Sequence, residues 1–167
     1  MDDTSRAISF EELWQRWSPD VFRFALALTR NQAEAEDVTS ETFLRVWSSP
    51  VPVRMPSVRA WLLTIARNLV LSEARRSWRS QPLPDDLPGT RSLASGIEAR
   101  LELESVLESM AELPELDRAA LVLRFHHDLP YSEIAAVLGL TEQSARARVF
   151  RVRVRLAEAR ERMPKAK

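Results

Sequence analysis

The sequence predicts an all-α protein made of two small helical domains joined by a flexible linker, the second containing a helix-turn-helix. Three observations lead there. Apolar residues recur at spacings of three and four in nearly every segment, the mark of helices with one buried face, and strand signals are absent. Helix-breaking residues concentrate in Ser80–Gly96, which holds Pro82, Pro84, Pro88 and two of the three glycines. The chain has 167 residues, and at roughly 100–200 residues per domain that is one medium domain or two small ones. The boundaries that follow are 8–79 for the first domain, 80–96 for the linker and 97–163 for the second.

Each element has its own warrant. Phe10, Trp14, Trp17, Val21, Phe24 and Leu28 form the first apolar stripe. Ser18-Pro19-Asp20 interrupts it as a Ser N-cap followed by Pro at the first helical position, so two helices meeting near residue 18 are expected. The next helix is expected over about Ala33–Trp47, with Ala35, Val38, Thr42, Phe43, Val46 and Trp47 inward. Pro50, Pro52 and Pro56 forbid a helix across Ser48–Ser57 and make it a shaped loop. A further helix carries Val58, Trp61, Leu62, Ile65 and Leu69 on one side and arginines on the other. Beyond the linker the pattern gives helices at Ile97–Leu113, Glu115–His126, Tyr131–Leu138 and Glu142 to about Arg162.

Composition excludes several classes of function. Without cysteine there is no disulfide framework, no thiol nucleophile and no Cys-ligated zinc. Apolar runs such as Phe24–Leu28 and Ala119–Leu123 fall far short of the roughly 20 residues that span a bilayer. The start, Met-Asp-Asp, lacks a basic-then-apolar leader, so a soluble cytoplasmic protein is expected. His126-His127 has no Cys partner and reads as a surface turn rather than a metal site. No Ser/His/Asp arrangement, glycine-rich phosphate loop or carboxylate pair stands out, so no enzyme, catalytic residue, metal or cofactor is expected.

The formal charge is zero, with 24 basic and 24 acidic residues, but the charges are segregated. Arg59–Arg79 holds five Arg and one Glu, and Thr141–Lys167 holds nine basic and three acidic residues. Asn31–Phe43 carries four acids and no base, and Glu98–Asp117 carries seven acids and one Arg. Such patches suit one polyanionic and one basic partner; solvated helix faces are the plain alternative.

The stretch from Tyr131 to Val149 is the most informative. Ile134, Val137 and Leu138 give a short helix one buried face, and Gly139 supplies a turn position where positive φ is cheap. Leu140 plugs the angle between helices and Thr141 caps the next one. In that helix Ala145, Val149, Val152 and Leu156 face inward, leaving Gln143, Ser144, Arg146, Ala147, Arg148 and Arg151 outward. This is the helix-turn-helix pattern, whose second helix enters the major groove and reads base edges from its N-terminal part. Arg153, Arg155, Arg160 and Arg162 lie further along, placed for phosphates or solvent. An ordinary helical hairpin with a solvated Arg face is the alternative.

Together these segments resemble a bacterial RNA polymerase sigma factor of the extracytoplasmic-function (ECF) group of the sigma-70 family. Besides the helix-turn-helix, three stretches carry the likeness: Ala35-Glu-Asp-Val-Thr-Ser-Glu-Thr-Phe-Leu-Arg-Val-Trp47, Ala60-Trp-Leu-Leu-Thr-Ile-Ala-Arg-Asn-Leu69 with Arg75-Arg76-Ser-Trp-Arg79, and Leu113-Pro-Glu-Leu-Asp-Arg118 with Leu121–Arg124. The resemblance implies that Asp37, Ser40, Glu41 and Leu44 bind core RNA polymerase, with Ser40 standing where the family usually has Gln. It assigns Arg67, Asn68, Arg75, Arg76, Trp78 and Arg79 to the melted minus-ten element, with Ser49, Arg54 and Met55 on the base-capturing loop. Trp61, beside Leu62 and Ile65, reads as core instead, and Ser72 replaces a frequent Asp. It assigns Gln143, Ser144, Arg146, Ala147, Arg148 and Arg151 to the minus-thirty-five element. Pro130 replaces the usual capping Ser, with Asp128 in reach as a substitute cap.

The implied function is a transcription initiation factor that binds core polymerase, directs it to a two-part promoter and promotes melting, and that an anti-sigma factor restrains. Two rivals remain: a stand-alone helix-turn-helix regulator, which leaves the acidic stripe of Asp37 and Glu41 without a job, and an adaptor that binds no DNA. The charge map adds the expectation that Glu98–Asp117 folds over the basic recognition helix in the free protein.

Overall fold

The computed structural model describes residues 9–48, 56–80, 110 and 112–162, and all regular structure among them is α-helix. The helices are α1 (Phe10–Thr29), α2 (Gln32–Ser48), α3 (Val58–Ser80), α4 (Glu115–Phe125), α5 (Tyr131–Leu138) and α6 (Glu142–Arg162). The chain divides into two compact units, Met1–Ala74 and Arg75–Lys167, a boundary that falls within α3 so that its last residues, from Arg75, are counted with the second. The predicted linker, and nearly all of the helix predicted at 97–113, lie outside the described residues.

In the first unit α1 starts in a capping box. The Glu12 amide donates to Ser9 Oγ at 3.2 Å, and the Ser9 amide donates to Glu12 Oε2 at 2.9 Å. The predicted break at Ser18-Pro19 is absent, and one helix runs through Pro19. The proline deletes the hydrogen bond that the Gln15 carbonyl would accept, at a cost of about 3 kcal/mol. Leu13 before it and Val21, Phe24, Ala25 and Leu28 after it are all buried in a helix that packs on α2, and a break would put Leu13 out of line with the other four. Gln15 and Pro19 are both exposed, so the missing bond lies on the solvent side of α1.

Arg30 closes α1 in the left-handed region at φ 58°, its amide donating to the Leu26 carbonyl at 2.8 Å. Asn31 opens α2, accepting from the Glu34 amide at 3.2 Å. Ala35, Val38, Thr39, Thr42, Phe43 and Val46 of α2 are buried. The two threonines satisfy their hydroxyls on the Ala35 and Val38 carbonyls, each at 2.7 Å. Phe43 takes the ring edges of Phe10 and Trp14 at 6.2 and 4.8 Å. Trp47, predicted inward, is 71% exposed, and Trp14 is 39% exposed. Trp47 lies a turn past Phe43, where the described part of α1 is just beginning and offers it the Phe10 ring at 5.1 Å.

Ser57 caps α3, accepting from the Ala60 amide at 3.0 Å. Trp61 is buried as expected, with Ala60, Leu62, Leu63, Ala66, Leu69 and Val70, whereas Val58 and Ile65 are half-buried. Arg59 ties α3 to α1: its Nε lies 3.0 Å from the Asp20 carboxylate and its guanidinium 5.7 Å from the Trp17 ring.

In the second unit α4, α5 and α6 pack against one another. Leu123, Ile134, Ala145, Val149 and Val152 are buried, and Leu113, Leu121 and Val152 form a cluster flanked by Met110 and Leu156. The predicted surface turn holds for His126 alone; His127 is buried. Asp128 at φ 49° folds the chain back, the Leu129 amide donates to the Leu123 carbonyl at 3.0 Å, and the reversal carries His127 inward. Asp128 does not cap α5. Its carboxylate pairs with Arg124 at 3.0 Å, and Pro130 occupies the N-cap position without a side-chain bond.

Candidate nucleic-acid interface

The helix-turn-helix is α5, a three-residue turn (Gly139, Leu140, Thr141) and α6. Gly139 adopts φ 66° and ψ 38°, and the amides of Gly139 and Leu140 both donate to the Ala135 carbonyl, closing the helix end in the manner of a Schellman turn. Thr141 caps α6, its hydroxyl accepting from the Ser144 amide at 3.1 Å. Ala145, Val149 and Val152 are buried and Leu156 is half-buried, so the expected inward stripe is the observed one. A helix pinned along one side and capped at its tip presents its opposite side as a rigid surface.

Gln143, Ser144, Arg146, Ala147 and Arg151 are exposed there. Arg146 is held by Glu142 at 3.2 Å and lies over the Tyr131 ring at 4.6 Å, a ring that Arg124 also approaches at 5.4 Å. Arg148 departs from the expectation of an outward side chain. It is half-buried and bonds across the unit to Asp117 of α4. Sequence reasoning missed Phe150, which is 64% exposed two turns on from Gln143 and so on the same face. Its aromatic character was the available signal, overlooked because aromatic residues at helical spacing usually mark a core. Arg153 lies over the Phe125 ring at 5.9 Å, with Phe125, Phe150 and Val154 lining an open groove.

In the first unit Asp37, Ser40 and Leu44 are exposed on one side of α2, Leu44 at 61%. Glu41, on the same stripe, is half-buried and paired with Arg45 at 2.9 Å. Along α3, Arg67 is half-buried, Asn68 and Arg75 are exposed, and the Ser72 hydroxyl donates to the Leu69 carbonyl at 2.9 Å. Ser49, Arg54 and Met55 lie outside the described residues, as do the side chains of Arg76, Trp78 and Arg79. Among the described residues no cluster of three His, Asp or Glu side chains could hold a metal ion, and no helix is long and apolar enough to cross a membrane.

Among the described residues these features are those of an all-helical protein that carries a helix-turn-helix in one unit and a separate set of helices in the other. The Sigma-70 region 2 family matches residues 13–80, and the Sigma-70, region 4 family matches residues 103–156. The ECF RNA polymerase sigma factor SigM of Bacillus subtilis is 30% identical over 152 residues, covering 89% of this chain and 93% of that protein. The sigma factor RpoE of Bartonella quintana, solved with the anti-sigma factor NepR, shares the fold at a TM-score of 0.77 and 24% identity, over 93% of this chain and 98% of that one. CnrH, solved with the cytosolic domain of CnrY, superposes at a TM-score of 0.66 with 26% identity, over 91% of this chain and 87% of that one. The chain belongs to the ECF group of RNA polymerase sigma factors, transcription initiation factors that are not enzymes.

Proposed function

We propose that this sigma factor joins core RNA polymerase through its first domain, residues 8–79, and reads the upstream promoter element through its second, residues 97–163, with 80–96 as the connector. The observation that carries the reading is the capped, one-side-buried α6 with Gln143, Ser144, Arg146, Ala147, Arg151 and Phe150 exposed along its other side. In the major groove, Arg146 and Arg151 suit guanine or phosphate, and Ala147 and Phe150 suit a thymine methyl. On the first unit, Asp37, Ser40, Glu41 and Leu44 supply an acidic stripe with an apolar member, complementary to a basic surface on the polymerase. Arg67, Asn68 and Arg75, continued by Arg76, Trp78 and Arg79, hold the melted minus-ten strand by charge and stacking, with Ser49, Arg54 and Met55 selecting bases. Core polymerase fixes the spacing of two weak DNA contacts, which then act as one bivalent event. The protein works in the cytoplasm, where an anti-sigma factor holds it until it is needed; relatives solved with NepR and CnrY support that partner class.

The test is run-off transcription from a pool of genomic promoter fragments, using bacterial core polymerase with and without the protein. Discrete transcripts only on its addition are expected. Co-elution with core but no transcripts would favour an adaptor, and duplex binding without any core binding would favour a stand-alone regulator.

A further inference from the structure

We propose that Asp117 withholds Arg148 from DNA, so that α6 reads with Arg146 and Arg151 but not with the arginine between them. The inference rests on the promoter-reading role of α6 and concerns which of its side chains are available. Arg148 follows buried Ala145 by three residues and precedes buried Val149, so it lies about 60° from the inward stripe, on the flank facing α4. Its side chain is 25% exposed, against 62% for Arg146. Nη1 of Arg148 donates to Oδ1 of Asp117, whose side chain is 18% exposed.

The anchor is fixed. Asp117 stands in the first turn of α4, where unpaired amides and the helix dipole favour a carboxylate, and its own amide donates to the Pro114 carbonyl at 3.0 Å. Behind it, Ala119 to Leu123 are all buried. For Arg148 to reach a base it must abandon this partner and leave a largely buried carboxylate unpaired beside a phosphate-rich duplex. Charge repulsion and desolvation both oppose that exchange. Arg146 faces no such barrier: its carboxylate partner, Glu142, is 53% exposed on the same helix, and such pairs exchange readily with solvent or phosphate. Tyr131 meanwhile holds the Arg146 guanidinium on the exposed side. Asp117, outside the recognition helix, is thus a positioning residue that sets specificity by subtraction, and the pair fastens α6 to α4.

The experiment is selection from a duplex library with a randomised upstream segment, using holoenzyme reconstituted from the full chain and bacterial core polymerase, followed by sequencing. Arg148→Ala, or Arg148→Met to keep the aliphatic stem, should return the wild-type motif with each base preference within about twofold. Asp117→Ala should add a preference for guanine at one new position, about tenfold, that disappears in Asp117→Ala/Arg148→Met. Loss of selection at any base position in a folded Arg148 variant overturns the proposal, as does an Asp117→Ala motif identical to wild type. Should the single Arg148 variants unfold, the double variant, which removes both charges, still decides: it must return the wild-type motif. If wild-type holoenzyme selects no motif at all, the promoter-reading role itself fails, and the proposal with it.

Discussion

Replacement of Gly139 by alanine isolates backbone conformation from steric fit. The glycine sits at φ 66°, where an L residue is less favourable by about 1–2 kcal/mol. A Cβ placed there meets nothing within 4 Å, so the substitution introduces no clash. Alanine also narrows the unfolded ensemble, which returns about 0.4–1 kcal/mol. The net expected loss is roughly 1 kcal/mol, with Gly139→Asn losing less, since its side chain tolerates the left-handed region, and Gly139→Val losing more. One kcal/mol corresponds to an increase of about fivefold in the population of the open state. Hydrogen exchange by mass spectrometry on peptides covering 131–156 reads that opening, with peptides from 10–48 as an internal control. Full protection in Gly139→Ala would mean that the turn does not hold a positive φ in solution. A loss above about 3 kcal/mol would mean a clash where the structure leaves open space.

Three further perturbations address other links in the argument. Phe43→Ala should destabilise the first unit by about 3–5 kcal/mol in urea unfolding followed by tryptophan fluorescence, because the ring is fully enclosed between Phe10 and Trp14; a loss below about 1.5 kcal/mol would contradict that packing. Leu44→Glu, at an exposed site, should leave the melting temperature unchanged while weakening binding to core polymerase about tenfold by biolayer interferometry; undiminished binding would remove the α2 stripe from the interface. Arg151→Ala should lower the slope of log affinity against log salt by about 0.9 if its contact is a phosphate, and an unchanged slope with one altered base preference would make it a base reader.

The sequence carried helix identity and phase well, because a 3.6-residue period with Gly, Pro and capping residues is a local property. Thr141, Gly139 and the Ala145–Val149–Val152 stripe were all legible on that basis. Part of what differed depended on neighbours distant in sequence. Pro19 looked like a boundary because local rules favour one there, yet the shared face with α2 carries the helix through. Arg148 stands on the flank of α6, and only the packing of α4 on α6 brings Asp117 to it. His127 was misjudged because a left-handed Asp128 cannot be read from a non-glycine residue. Trp47 shows a different limit: it lies about 110° round α2 from the centre of the buried stripe, between the phases of exposed Glu36 and Ser40, and among the described residues its ring meets Phe10.

The short connections between helices also bear on when the protein folds. Only Arg30 and Asn31 separate α1 from α2, and three residues separate α5 from α6, so partners in each contact are close along the chain. Helical topologies dominated by local contacts form in about microseconds to milliseconds. A ribosome adds about 5–20 residues per second. All of α1 and α2 is therefore synthesised seconds before α6, and the two helices can pair as soon as both are free of the ribosome. The chain thus emerges with the acidic side chains of Asp37 and Glu41 well ahead of every residue of α6.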